Sequence, residues 1–175
     1  VIEAKKIFNI ELNKIQILIN PNSYIHAIII INNGTIKFLA HENKMDIPIY
    51  NSIFEDSSKN DYKNNYLNLK KLNNLNLLKP DTKKFRLLKI LKLIPQKDSL
   101  FETVVISVND ELVNKFLNKE IDYKNISYYL TKIINFKKLK KYCKVKPKTI
   151  KQITEARNLA RFTTNEFINK FNHHN

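Results

Sequence analysis

The fold is decided by residues 25–40, which read IHAIIIINNGTIKFLA. Two runs rich in β-branched residues flank Asn33 and Gly34, and the only glycine of the chain stands where a tight turn requires a positive φ. This pattern predicts a β-hairpin. Because residues 28–31 are apolar at every position, we expect both faces of the hairpin to be covered, either by helices or by a second copy of the chain.

The residues before the hairpin predict a helix, a strand and a turn. Apolar side chains recur at helical spacing at the start of the chain, at Ile2, Ala4, Ile7 and Phe8. Residues 15–19 read IQILI, a β-branched run that predicts a strand. The sequence NPNS at residues 20–23 follows and predicts the turn that ends this strand.

The residues after the hairpin become polar and then helical in pattern. Residues 55–66 are polar without apolar periodicity, which predicts a loop. Four helical signals follow. Asp81 can cap a first helix, whose apolar stripe is Phe85, Leu88, Leu91 and Ile94, and Ser107 with Asp110 forms a capping box for a second. A third helix has the stripe Ile126, Tyr129, Leu130, Ile133 and Ile134, and a fourth is capped by Thr149 with Gln152 and has the stripe Ile150, Ile153, Ala156, Ala160, Phe167 and Phe171. These signals predict successive helices that share one core.

The patterns together predict an α+β chain with two structured parts. Residues 1–54 hold the N-terminal helix, the strands and the hairpin, residues 55–80 form a polar loop and linker, and residues 81–175 form a helical domain that resembles a four-helix bundle.

Composition excludes several classes of protein. With 175 residues and 43% hydrophobic residues the chain can bury a core, and its single cysteine, Cys143, cannot form an internal disulfide or a thiolate zinc site. A single glycine excludes a glycine-rich nucleotide loop within these residues. No apolar run is long enough to span a membrane. We therefore expect no membrane partner, and we expect any dinucleotide to be held mainly by residues outside this chain.

The net charge of +15 leaves two interpretations open. Only Arg86, Arg157 and Arg161 are arginines, so the excess of lysine fits a solvated surface produced by biased coding. The lysine-rich residues 137–148 could instead bind RNA or an anionic surface, although nucleic acid is the less expected partner.

Two single residues have ordinary structural explanations. His26 follows a turn and could simply be a hydrogen-bonded histidine packed on a sheet. Met45, the only methionine, could fill a gap in the core. Taken alone, neither residue indicates a function.

Several short segments, however, occur in a characteristic order. They are VIEA at residues 1–4, ILINPNSYIH at 17–26, NG at 33–34, MDIPI at 45–49, PD at 80–81, SVND at 107–110 and EAR at 155–157. In this order they resemble the 1-deoxy-D-xylulose 5-phosphate reductoisomerase family, closely before residue 50 and loosely after residue 55.

The resemblance implies an enzyme that uses NADPH and a divalent metal, manganese or magnesium, to convert 1-deoxy-D-xylulose 5-phosphate to 2-C-methyl-D-erythritol 4-phosphate in isoprenoid synthesis. The chain would correspond to the C-terminal part of the catalytic domain and the C-terminal helical domain of such an enzyme. The resemblance also implies a homodimer joined through the sheet that contains the hairpin. We expect a cytoplasmic location in a bacterium or endosymbiont, and the biased composition also suits a plastid-type organelle.

Site residues follow from the same resemblance. Ser23 and Met45 match positions that line the nicotinamide and substrate pocket, while His26 and Glu3 match residues that support it. The metal-binding glutamate would immediately precede Val1, and the resemblance places no catalytic residue or metal ligand in this chain. We therefore expect the chain to be inactive by itself.

Overall fold

A two-stranded hairpin and a group of packed helices make up the structure, a computed structural model that describes residues 1–54 and 68–172. The chain divides into a hairpin unit, residues 17–80, and a helical unit, residues 1–16 and 81–175. The N-terminal helix therefore groups with the helical unit, whereas the sequence patterns grouped it with the hairpin. The loop predicted at residues 55–66 lies outside the described residues.

The hairpin forms as the sequence predicts. Strand β1 (Ile25–Ile30) pairs antiparallel with β2 (Ile36–Ala40). Gly34 has a φ of 85°, and its backbone N–H donates to the carbonyl of Ile31 at 2.9 Å. The glycine thus allows the left-handed turn that joins the two strands.

The rest of the hairpin unit consists of short elements. Helix α2 (Asp46–Ile53) follows the hairpin, and α3 (Leu69–Asn73) lies beyond the residues that are not described. The strand predicted at residues 15–19 is wrong except at its last residue, where Ile19 exchanges two backbone hydrogen bonds with Leu78 at 2.8 and 2.9 Å. Among the described residues, the pairing beside Ile19 is limited to this single antiparallel bridge.

The helical unit contains five α-helices in its described residues. They are α1 (Ile2–Phe8), α4 (Phe101–Leu117), α5 (Tyr123–Ile134), α6 (Lys137–Lys140) and α7 (Ile150–Asn172). Tighter 3₁₀ turns lie at Leu12–Lys14, Arg86–Leu93 and Lys141–Lys144. The stripe predicted from Phe85 to Ile94 is therefore helical, but it is a 3₁₀ helix and Asp81 does not cap it.

The core of this unit lies where α4 packs against α5 and α7. The stripe predicted on α5 is confirmed, since all five of its residues are buried: Ile126, Tyr129, Leu130, Ile133 and Ile134. On α7 the small residues Ala156 and Ala160 are fully buried, whereas Ile150, which the predicted stripe included, is 82% exposed and does not belong to the buried face. Thr163, Thr164 and Ile168 complete the buried face of α7 instead.

The predicted start of the helix at Ser107 is wrong. Ser107 lies in the middle of α4, and its hydroxyl donates to the carbonyl of Thr103 at 2.7 Å. Ser99, eight residues earlier, lies just before α4, where it donates from its backbone N–H and its hydroxyl to the carboxylate of Glu102 and accepts from Phe101 N at 3.3 Å. The predicted cap of α7 is confirmed, because Gln152 N donates to Thr149 Oγ1 at 3.2 Å.

Among the described residues, no helix is both long and apolar enough to cross a membrane.

Candidate functional site

The turn before β1 exposes Ser23. Asn20 organises this turn, because its carbonyl accepts from Ser23 N and its Oδ1 accepts from Asn22 N, each at 3.0 Å. Ser23 has a φ of 48°, a left-handed conformation that is unfavourable for a residue with a Cβ. Its hydroxyl makes no hydrogen bond within residues 1–54 and 68–172, so it is available to a ligand. The buried Nδ2 of Asn20 likewise lacks a partner among those residues.

His26 pairs with a second histidine that the sequence analysis did not select. The rings of His26 and His41 stack with their centroids 3.7 Å apart and 10° between their planes. His26 Nε2 lies 3.2 Å from the carbonyl of His41, and His41 Nδ1 lies 2.7 Å from the carbonyl of Glu42. Because a carbonyl only accepts, both of these ring nitrogens must carry protons. In the neutral form, Nδ1 of the exposed His26 is thereby left as an acceptor.

The stacked pair follows from an irregularity in the hairpin. The register shifts between Ile25 and Ala27, and the backbone N–H of His41 donates to the carbonyl of Tyr24 at 3.1 Å. This bulge brings His41, just after β2, alongside His26 on β1. Both histidines can be read from the sequence, but no residue pattern in the sequence indicates the bulge that stacks their rings.

A charged contact fixes the chain just after His41. The carboxylate of Glu42 accepts from the ammonium of Lys71 on α3 and, at 3.5 Å, from Asn68 Nδ2. The hydrogen bond from Lys71 lowers the pKa of Glu42. Asn68 also caps α3 through its Oδ1, and Lys71 Nζ lies 5.4 Å from the centroid of the Tyr24 ring. The sequence analysis did not select Glu42, Asn68 or Lys71. Of the three, only Asn68 has a local sequence signal, because asparagine is a favoured residue at the start of a helix.

Met45 is a surface residue. It precedes α2 and is 72% exposed, so the structure excludes the interpretation that it fills a gap in the core. Its thioether is therefore accessible to a flat apolar group, which is a common partner of methionine.

Glu3 belongs to the helical unit and lies exposed in the first turn of α1. Two residues further, Lys5 points into the protein, where its Nζ lies 2.8 Å from Glu102 Oε1 and 3.0 Å from the carbonyl of Pro95. Lys6 pairs with Asp98 at 2.6 Å. Burial alone would raise the pKa of Glu102, but the hydrogen bonds from Lys5 and Ser99 outweigh it and lower that pKa.

The described residues do not form a metal site. No group of three or more His, Cys, Asp or Glu side chains within residues 1–54 and 68–172 is placed to hold a metal ion. We therefore assign no step through a metal to these residues.

The chain matches a known family over most of its length. The family model described as "DXP reductoisomerase C-terminal domain" matches residues 42–163, which includes the part where the sequence resemblance was loose. The 1-deoxy-D-xylulose 5-phosphate reductoisomerase of Pelagibacter ubique is 46% identical over 153 residues, covering 87% of this chain and 39% of that protein. The corresponding enzyme of a Sulfurihydrogenibium species is 36% identical over 126 residues, covering 72% of this chain and 33% of that protein. This chain thus spans about two fifths or less of the length of these relatives.

Solved structures show the same fold. The reductoisomerase from Zymomonas mobilis in complex with NADPH matches 95% of this chain and 43% of its own, with a TM-score of 0.74 and 24% identity. A reductoisomerase in complex with NADPH, fosmidomycin and magnesium matches 98% of this chain and 43% of its own, with a TM-score of 0.82 and 20% identity. The combination of a hairpin with a C-terminal helical domain is therefore that of these enzymes.

Proposed function

Because this chain belongs to the 1-deoxy-D-xylulose 5-phosphate reductoisomerase family, we propose that it supplies the C-terminal part of a reductoisomerase. That enzyme converts 1-deoxy-D-xylulose 5-phosphate to 2-C-methyl-D-erythritol 4-phosphate with NADPH and magnesium or manganese. The observation that carries the proposal is the match of the family model across residues 42–163. NADPH is bound in two of the reductoisomerase structures that share this fold, and one of those two also holds magnesium.

The hairpin unit offers three groups that suit a pocket for the nicotinamide and the substrate. Ser23 presents a free hydroxyl, which can donate to or accept from a polar group of the substrate. His26 is held in one orientation by its stack on His41, and its Nδ1 can accept a hydrogen bond. Met45 exposes a thioether that can pack on the nicotinamide ring. NADPH supplies the hydride when it is bound, and these side chains bind and orient the groups around it.

The exposed hairpin supports a homodimer. Ile29, Ile30, Ile36, Phe38 and Leu39 are each more than half exposed. Apolar side chains clustered in this way on a soluble surface mark an interface. We infer that the hairpin packs on the hairpin of a second copy, and that the assembled enzyme works in the cytoplasm, where its polar substrate and cofactor are dissolved.

A chimera tests the proposed activity. The segment of the Pelagibacter ubique reductoisomerase that matches this chain is replaced by this chain, whose identity to it is 46%. We expect the chimera to oxidise NADPH only when the substrate and magnesium or manganese are both present. The chain alone, assayed identically, should oxidise none, because its described residues contain no metal cluster.

Two controls make the chimera decisive. The unmodified Pelagibacter ubique enzyme gives the reference rate, and circular dichroism shows whether the chimera has folded. A folded chimera without turnover would contradict the proposal, and so would turnover by this chain alone.

A second candidate function rests on the lysines of residues 137–148. The segment contains seven lysines, and in the described part of the chain only Lys138 forms an ion pair, with Glu166 at 2.9 Å. A basic surface of this kind binds polyanions with a strong dependence on salt, because bound counterions are released. If the segment binds RNA, retention of the chain on a polyphosphate column should fall steeply as salt rises. Retention that is weak at low salt, or that does not change with salt, would exclude this function.

A further inference from the structure

Helix α1 is too short to be stable by itself. It has seven residues, and isolated helices of that length do not persist in water. Its apolar side chains are packed only weakly, because Ile7 and Phe8 are 66% and 68% exposed. Ile2 is the one apolar side chain of α1 that packs against the core cluster of the described residues. The position of α1 must therefore depend on its polar contacts with the rest of the helical unit.

Lys6 of α1 pairs with the exposed Asp98, and two ammonium groups of α1 meet at the carboxylate of Glu102, where Lys5 and Lys6 lie 2.8 and 3.4 Å from Oε1. The side chains of Lys5 and Glu102 are 5% and 3% exposed, which is rare for charged groups and requires close pairing. Glu102 Oε1 accepts from Lys5, while Oε2 accepts from the backbone and hydroxyl of Ser99 at the start of α4. The same carboxylate thus holds Ser99 just before α4 and Lys5 on α1.

We propose that Glu102 is a positioning residue, whose carboxylate fixes α1 on the start of α4 through Lys5 and thereby fixes the place of Glu3 on the same helix. A shift of α1 by one residue would leave the ammonium of Lys5 buried without its partner, so the pair selects a single docking position. The part of this inference that concerns Glu3 rests on the proposed function, since Glu3 has a role only where the chain serves a reductoisomerase site.

The substitution Glu102→Gln removes the ion pair with Lys5 but can keep the hydrogen bond from Ser99. Glutamine keeps the size of the side chain and an oxygen that can accept from Ser99, but it removes the charge that Lys5 requires. The matched control is Glu111→Gln, the same change on the same helix at a buried carboxylate that pairs with Arg161 on α7 at 2.8 Å. The readout is amide hydrogen exchange in the intact protein.

We expect Glu102→Gln to accelerate exchange of the amides at residues 5–8 by at least about tenfold, while the amides of α5 keep their rates. Glu111→Gln should leave residues 5–8 unchanged. The double variant Lys5→Met with Glu102→Gln should slow the exchange of α1 again, because no unpaired charge remains buried. Unchanged exchange of α1 in Glu102→Gln, or a double variant that exchanges faster than the single one, would overturn the role of the pair.

Turnover tests the link to Glu3. In the intact enzyme we expect Glu102→Gln to lower kcat with little change in the KM for NADPH, and the double variant to recover part of kcat. Faster exchange of α1 with an unchanged kcat would overturn the positioning of Glu3. An unsubstituted protein without reductoisomerase activity would instead contradict the proposed function, and the exchange of α1 would still decide whether Glu102 holds this helix.

Discussion

Replacing Phe101 by alanine should lower the free energy of unfolding of the helical unit by about 3–5 kcal/mol. Phe101 is the first residue of α4, is 2% exposed and belongs to the core cluster with Leu100 and Val104. Removal of its ring takes away the favourable burial of that ring and leaves a cavity that the packed neighbours fill only in part. The measurement is urea unfolding followed by circular dichroism of the helices.

Phe162 provides the matched control. It lies on α7 and is 61% exposed, so Phe162→Ala changes the same atoms at a site where little area is buried. We expect a change of less than about 1 kcal/mol there. Equal losses in the two variants would show that α4 does not pack on the core as described.

The hairpin could be predicted because all of its determinants are local. Gly34, the asparagines before it and the flanking β-branched runs lie within sixteen consecutive residues and favour the same turn. The stripe of α5 was predictable for the same reason, since its spacing alone defines the buried face.

The start of α4 shows how a local signal can mislead. Ser107 and Asp110 fit a capping pattern, but so do Ser99 and Glu102, and the sequence does not say which serine is outside the helix. The structure favours Ser99 because Leu100, Phe101 and Val104 are then buried in the helical core. Packing thus decided between two similar sequence signals for the start of this helix.

The orientation of α1 could not be predicted from its pattern. Helical spacing indicated Ile7 and Phe8 as its inner face, whereas the structure buries Lys5. The partner of Lys5 is Glu102, which lies 97 residues further along the chain. A contact between two charged residues so far apart leaves no periodic signal in a single sequence.

The candidate site depended on the resemblance more than on residue chemistry. Neither Ser23 nor Met45 belongs to a catalytic or metal-binding motif that the sequence alone would reveal, and they stay predicted pocket residues. The structure adds that both are exposed, and it adds His41 beside His26. The stacked histidines depend on a bulge in the hairpin, which hydrophobic patterning does not reveal.

Replacing Ile30 by lysine should convert the proposed dimer into a monomer. Ile30 pairs with Ile36, and Ile28 pairs with Phe38, so these four side chains share one face of the hairpin. Ile30 is 74% exposed in the single chain, and Lys37 lies on the opposite face with Ile29. We infer that the wholly apolar face is the one that a second copy covers.

A lysine at position 30 both removes apolar area from that interface and places a charge within it. We expect the dissociation constant of the dimer, measured by sedimentation velocity, to rise by at least about a hundredfold. Thr35→Lys adds the same charge beside the turn without removing an apolar side chain, so the dimer should persist in that variant. If the unsubstituted protein is a monomer, or if Ile30→Lys remains as tightly associated as Thr35→Lys, this face of the hairpin is not the subunit interface.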